Sequence, residues 1–172
     1  TSGVLLAGVA SSGSVGSITS SALGKGTLTF NGGTLSSDGS TSRTFYNALT
    51  FTNDATLGDG TNTGSLIFGA AGDLGSATRT VTVAANTTAE FDGILSSATS
   101  ATGLTKSGTG TLILGGANTY TGLTTISGGT LQLGASGSLS ASTGLSMSGT
   151  GILDLYGRSL SFASLTGASG NT

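Results

Sequence analysis

The sequence contains no cysteine and no histidine. The absence of cysteine excludes a disulfide framework and thiolate metal sites. The absence of histidine excludes the Ser-His-Asp and Cys-His catalytic arrangements and the histidine zinc sites. Proline is missing as well. Because proline cannot donate to a strand ladder, its absence suits a chain of continuously paired strands.

Charged residues are scarce, at 7% of the chain, and five basic against seven acidic side chains give a net charge of −2. Phosphate binding depends on clustered Lys and Arg, whereas these basic residues lie far apart in sequence, so we expect no nucleic-acid partner. The longest apolar stretch, residues 4–10, is broken by Gly8. The sequence therefore predicts no transmembrane helix.

Small residues dominate the composition, and glycine alone contributes 32 of them. Such a bias usually indicates disorder. Here, however, hydrophobic residues still form 35% of the chain, and they recur in spaced pairs such as Leu28/Phe30 and Leu112/Leu114. This spacing indicates a packed core.

An internal repeat organises these pairs. Residues 144–157 align without gaps on residues 103–116. One apolar residue from each pair gives a series with steps of about 21 residues, which we expect to stack as one buried column. Its members are Leu28, Leu49, Leu66, Phe91, Leu112, Leu131 and Leu153. A second series interleaves with it through Leu35, Leu57, Val81, Leu104, Ile126, Leu145 and Leu165.

Within each pair the middle residue is mostly polar, and glycine-rich corners separate the pairs, so the pattern alternates as in β-strands. The sequence predicts an all-β fold, a parallel β-helix (β-solenoid) with coils of about 21 residues. An antiparallel sandwich or barrel is the alternative, and the repetition at a two-coil distance favours the solenoid.

Two segments follow from this reading. We assign residues 23–172 to the β-solenoid domain and residues 1–22 to an N-terminal apolar, Gly/Ser-rich segment that acts as a cap or donor strand. The first residue is Thr1 rather than Met, from which we expect a processed chain or a fragment.

Residues 103–134 read GLTKSGTGTLILGGANTYTGLTTISGGTLQLG. This stretch resembles the autotransporter-associated, or passenger-associated, β-strand repeat. The matching positions are Gly103, Leu104, Lys106, Gly108, Gly110, Leu112, Leu114, Asn118, Tyr120, Gly122, Gly129, Thr130, Leu131 and Leu133, and Met147 stands where the next motif has its Lys. The resemblance implies a right-handed β-helix in a large exported protein of bacteria, secreted or at the cell surface. It implies no reaction.

Candidate site residues each have an ordinary structural alternative. Five acidic residues of the middle coils, with Arg79 among them, are the candidates for a calcium-dependent lyase site, although Asp also serves turns. They are Asp54, Asp59, Asp73, Glu90 and Asp92. Tyr46, Tyr120 and Tyr156 are candidates for a sugar-stacking platform, or else cover glycine corners and keep their hydroxyls in water.

Lys106 lies in a glycine-rich run but lacks the glycine before it and the helix after it that a phosphate loop requires. We expect it to be a turn lysine whose stem lies along the coil surface. No catalytic, cofactor-binding or metal-binding residue is assigned, and no cofactor is expected.

The two ends of the solenoid carry no charged cap, since the first charged residue is Lys25 and none follows Arg158. Open ends expose unpaired strand edges and an open core. We expect other copies to cover them, by coil-on-coil stacking or by strand addition of residues 1–22. The alternative is that further coils of the same chain do so.

These features predict a non-catalytic structural protein that self-associates head to tail into a fibre or surface assembly. One alternative is a passenger segment acting as an adhesin, with a surface glycan or another cell-surface ligand as its partner. The other alternative is a carbohydrate-active β-helix enzyme.

Overall fold

The computed structural model describes residues 3–99 and 101–167, and within them every regular element is a β-strand. The strands are β1 (Val4–Ala7), β2 (Ser12–Ser14), β3 (Ser17–Ser20), β4 (Leu28–Phe30), β5 (Thr34–Ser37), β6 (Arg43–Phe45), β7 (Leu49–Phe51), β8 (Ala55–Leu57), β9 (Leu66–Phe68), β10 (Gly72–Asp73), β11 (Arg79–Val83), β12 (Thr88–Phe91), β13 (Leu95–Ser96), β14 (Leu104–Ser107), β15 (Thr111–Leu114), β16 (Thr124–Ile126), β17 (Thr130–Leu133), β18 (Gly144–Met147), β19 (Ile152–Asp154) and β20 (Ser164–Gly167). The assigned segments 1–22 and 23–172 include Thr1, Ser2, Ser100 and residues 168–172, which lie outside this description.

The strands form three parallel sheets that run along one axis. An eight-stranded sheet has the order β1-β5-β8-β11-β14-β16-β18-β20, a six-stranded sheet β6-β9-β12-β15-β17-β19, and a four-stranded sheet β4-β7-β10-β13. Each strand pairs with its equivalent one coil further on, which is the arrangement of a solenoid. The predicted β-solenoid is confirmed, with about six turns and coils of about 23 residues rather than 21.

The core is a set of inward-facing columns in which each coil places a side chain on the same position of the previous coil. In the six-stranded sheet one column runs through Leu66, Ala89, Leu112, Leu131 and Leu153. Phenylalanines fill the N-terminal half of the core, where Phe30 stacks on Phe51 with ring centroids 4.8 Å apart. Leucines replace them further along the axis.

The prediction that one column holds all seven residues of the first series is wrong. Leu28 and Leu49 pair in the four-stranded sheet, whereas Leu66 begins a run in the six-stranded sheet. Phe91 lies in the neighbouring column, paired with Phe68 and Leu114. The physical reason is that two walls of each coil use the same apolar-x-apolar strand, so the sequence alone does not distinguish the walls. The second series does lie on one sheet, the eight-stranded one.

The N-terminal segment contributes to the solenoid of its own chain. Strand β1 pairs in parallel with β5, so that Leu5 lies beside Leu35. Arg43 holds the end of β1 by donating from Nε to the Ala7 carbonyl at 3.1 Å, while its guanidinium pairs with Asp38. Strands β2 and β3 form an antiparallel hairpin that the sequence did not predict.

Within residues 3–99 and 101–167, no helix is long and apolar enough to cross a membrane.

Candidate functional site

The five acidic candidates do not converge on one site, because three of them accept hydrogen bonds from backbone N–H groups, two within local turns and one from the next coil. Asp54 accepts a hydrogen bond from the Thr80 N–H at 2.8 Å, and Asp73 accepts one from the Gly75 N–H at 2.8 Å. Asp59 accepts from the backbone N–H groups of two nearby residues, which lower the pKa of its carboxyl. In the described part of the chain, no group of three or more acidic side chains could hold a metal ion.

Only Glu90 and Asp92 of the acidic candidates are neighbours that interact. They lie two residues apart, on β12 and directly after it, and the two carboxyl groups are close enough for each to affect the charge of the other. Partial burial, followed by the nearby negative charge of Asp92, raises the pKa of Glu90. Arg79 does not join them, since its Nε donates to the Leu74 carbonyl at 2.9 Å.

A groove lies beside this pair on the outer face of the six-stranded sheet. It has a volume of about 250 Å³ and is lined by Glu90, Ile113, Gln132, Leu133, Gly134, Ala135 and Tyr156. Glu90, Ile113 and Gln132 follow one another at the same register in successive coils. The groove therefore runs along the solenoid axis.

Two glycines beside this row of side chains pack closely against the preceding coil. Gly115 and Gly134 each follow the last residue of their strand, after Leu114 and Leu133. A Cβ on Gly115 would lie 2.6 Å from Asp92 Oδ1, so the Asp92 carboxylate rests directly over this glycine. A Cβ on Gly134 would lie 2.8 Å from the Gly115 Cα. A side chain at either position would overlap atoms of the preceding coil.

Tyr156 stands at one end of the groove with 62% of its surface exposed. Its φ of 51° lies in the left-handed region that favours glycine. Asp154 Oδ1 accepts from the Tyr156 N–H at 2.8 Å, and Asp154 Oδ2 accepts from Gln132 Nε2 at 2.6 Å. These two bonds, in that order, lower the pKa of Asp154. One carboxylate thus fixes both Tyr156 and Gln132.

The three tyrosines do not form a single platform. Tyr46 covers a glycine corner as predicted, because its ring lies against Gly69, and it lines a different cavity of about 620 Å³ together with Lys25. Tyr120 is fully buried, which contradicts the prediction that its hydroxyl stays in water. Its hydroxyl hydrogen-bonds to Thr124 at 2.9 Å, and burial raises the pKa of the phenol.

Lys106 was expected on the coil surface, and that prediction is wrong. It lies on β14 at an inward position, between Val81 and Ile126 of the adjacent coils, and its exposed fraction is 0%. Its Nζ donates to the carbonyls of Ser107, Gly108 and Gly128 at 2.8, 2.9 and 3.0 Å. No ion pair to Lys106 is present among residues 3–99 and 101–167. Burial lowers its pKa to about 8.

The three carbonyls belong to the turns that Lys106 holds together. Gly108 has a φ of 74°, and a Cβ there would overlap the Val83 carbonyl of the preceding coil, so only glycine fits. Gly128 lies in the corresponding turn of the next coil. Lys106 therefore fastens two successive turns from inside the core.

Asn118 makes a similar connection at another corner. Its Nδ2 donates to the Gly116 carbonyl at 2.9 Å and to the Ser138 carbonyl at 3.0 Å, and its Oδ1 accepts from the Leu95 N–H at 2.9 Å. These partners belong to three consecutive coils. Since Asn118 is buried, all three bonds form out of contact with bulk water.

Lys106, Asn118 and Tyr120 fall within one stretch that matches a family model. Residues 104–133 match the passenger-associated-transport-repeat. This stretch is similar to a repeat of passenger-type β-helices, and the repeat is not a known enzyme family. No curated protein and no solved structure matches the chain.

Lys106, Asn118 and Tyr120 are thus buried structural groups. We expect Asn118→Ala to lower the free energy of unfolding by about 2–4 kcal/mol, because it leaves buried backbone groups without partners. Asn47 is the matched control: it is equally buried, and its Nδ2 donates to two carbonyls, but its Oδ1 has no partner. Asn47→Ala should therefore lower the free energy of unfolding, measured with urea, by less than Asn118→Ala does. Equal losses in the two variants would contradict the structural role given to Asn118.

Proposed function

We propose that the chain forms a passenger-type β-helix, secreted or displayed at a bacterial surface, and that this non-catalytic rod is extended by end-to-end contacts between copies. The observation that carries the proposal is the state of the two ends of the core. Leu5 and Leu165 occupy inward positions at the first and last strands of the eight-stranded sheet, yet they are 55% and 69% exposed.

The geometry of the ends supports a second copy as the occupant. All three sheets of the solenoid are parallel, so the first strand of one copy has the direction needed to extend the last strand of another. Neither β1 nor β20 carries a charged residue of the kind that blocks edge pairing. A cavity of about 200 Å³, lined by residues that include Leu5, Leu28 and Phe30, opens at the first end. Such a heterologous contact does not close, and it gives a filament.

Coil-on-coil stacking is favoured over donation of the N-terminal strand. In strand donation, residues 1–22 would leave their own chain and pair with a neighbour. Strand β1 is already paired with β5, and Arg43 holds its end. Releasing it would break these bonds, whereas stacking leaves them intact and covers the exposed Leu5.

The test is the association state of the purified chain and of variants at its two ends. We expect sedimentation velocity to show species that grow with concentration, and electron microscopy to show rods of one width and variable length. Leu5→Asp or Leu165→Asp should reduce the chain to a monomer, because a carboxylate at the contact would be desolvated. Leu123→Asp, at an exposed leucine that lies on neither end strand, is the matched control and should assemble as wild type.

A wild-type chain that stays monomeric at about 100 µM, a concentration at which contacts of modest affinity are populated, would contradict the proposal. Equal effects of the Leu165 and Leu123 substitutions would contradict it too, since the contact would then not involve the solenoid end.

A further inference from the structure

The groove beside Tyr156 lies on the outer face of the six-stranded sheet, and it ends at the turn after β19, the last strand of that sheet. Its rim combines an exposed aromatic ring with an amide and a carboxylate, from Tyr156, Gln132 and Glu90. An aromatic side chain offers a flat apolar face, and amide and carboxylate groups are hydrogen-bond partners for hydroxyls. We propose that this groove binds a saccharide without carboxylate groups, with one sugar ring stacked on Tyr156.

The shape of the groove fits an extended chain of sugars better than a compact ligand. Its lining residues come from β12, β15, β17 and the turn after β19, which are successive coils about 4.8 Å apart. Gly115 lies against Asp92 and Gly134 lies against Gly115, and neither residue carries a side chain. A ligand can therefore lie along the axis and contact Glu90 and Tyr156 together.

The charges around the groove define the ligand class. Glu90 and Asp92 lie at one end, Asp154 is bonded to Gln132 at the other, and no basic residue lines the cavity. Uronic and sialic acids would bring a further carboxylate close to these groups, and like charges repel at such distances. Neutral sugars avoid the repulsion and can donate their hydroxyl protons to the carboxylates.

The backbone of Tyr156 gives a second reason to place function here. A non-glycine residue in the left-handed region costs roughly 1 kcal/mol, and glycine would relieve that cost. Asp154 nevertheless holds a tyrosine in this conformation, with its ring exposed to solvent. Tyr156→Gly therefore removes the ring while it relaxes the backbone.

The experiment measures binding of neutral oligosaccharides (maltohexaose and chitohexaose) and acidic ones (polygalacturonate fragments and sialyllactose) by saturation-transfer NMR and calorimetry. We expect at least one neutral probe to bind with a Kd of roughly 0.1–1 mM, and no acidic probe to bind. Tyr156→Gly should weaken binding at least tenfold with unchanged or higher thermal stability. Tyr156→Phe should remain within about threefold of wild type, because stacking needs only the ring.

Tyr46→Ala removes the ring that lines the other cavity, and it should leave saccharide affinity unchanged. The proposal is overturned if no neutral probe binds at about 10 mM, if acidic probes bind as well as neutral ones, or if Tyr156→Gly binds as wild type. Because Tyr156 follows the last strand of the six-stranded sheet, sedimentation velocity is also run on both Tyr156 variants, and saccharide binding is compared at a concentration where all variants share one association state.

Discussion

Leu112→Asp should abolish the native structure of the coils around it. Leu112 is fully buried and lies between Ala89 and Leu131 in the six-stranded sheet. A carboxylate at this position has no partner, and burying it costs about 4 kcal/mol or more, a large part of the stability of a typical domain. Because each coil of a solenoid is supported only by its neighbours, the loss should spread along the axis.

Thr111→Asp provides the control for this prediction, since Thr111 precedes Leu112 on the same strand and faces outward. The same carboxylate placed there remains in contact with water and should change stability by less than about 1 kcal/mol. Circular dichroism during thermal and urea unfolding measures both variants. If the two substitutions have similar effects, Leu112 does not face the core.

Lys106→Met should lower the free energy of unfolding by about 2–4 kcal/mol at pH 7. Methionine retains the length of the side chain, and Met147 already occupies the equivalent register two coils further on. It cannot donate to the carbonyls of Ser107, Gly108 and Gly128, and leaving buried carbonyls unpaired outweighs the benefit of removing a buried charge. A variant that is as stable as wild type would contradict this role.

The pH dependence of stability separates the charge of Lys106 from its packing. The folded chain releases the Lys106 proton near its pKa of about 8, whereas the unfolded chain keeps it up to about 10.4. Between these values the unfolded state binds more protons, so the free energy of unfolding rises with pH. We expect a gain of about 2 kcal/mol between pH 8 and 10 in wild type relative to Lys106→Met.

Ionisation of Tyr120 should lower the free energy of unfolding at higher pH, which is opposite to the effect of Lys106. Burial raises the pKa of its phenol, so above about pH 10 the unfolded chain loses this proton first and the folded state becomes less stable. Urea unfolding at pH 7, 8, 9, 10 and 11 should therefore show a maximum in wild type. Parallel curves for wild type and Lys106→Met between pH 8 and 10 would contradict the assignment to Lys106.

The wrong prediction that Lys106 is exposed has a specific cause in the sequence. Glycines at 108 and 110 indicated a turn, and a lysine beside a turn is usually exposed. The alternation that starts at the buried Leu104 places Lys106 on the inward side, and its neighbours in adjacent coils, Val81 and Ile126, are apolar. The sequence therefore contains an alternation that places Lys106 inward. The prediction instead followed the usual rule that lysines are exposed unless they are paired.

The groove could not be found from sequence for a different reason. Glu90, Gln132 and Tyr156 are far apart along the chain, and only the coil lengths bring them to one side of the same sheet. Those lengths vary from coil to coil, and a difference of one residue in a coil would move the next strand's outer side chains inward. The acidic residues looked equivalent in the sequence, whereas the structure uses some for turns and others for the groove.

The sequence by itself indicated the class of fold: spaced apolar pairs, glycine corners and an internal repeat favour short strands in stacked parallel coils over an antiparallel sandwich or barrel, because stacked coils bury the same positions of every repeat. It also identified the stretch that carries the passenger-associated-transport-repeat. Only the tertiary structure decided which wall each strand joins, that Lys106 and Tyr120 face inward, and that Tyr156 and Glu90 line one groove. These depend on the register between coils, which is set by packing over the whole chain and not by any local pattern.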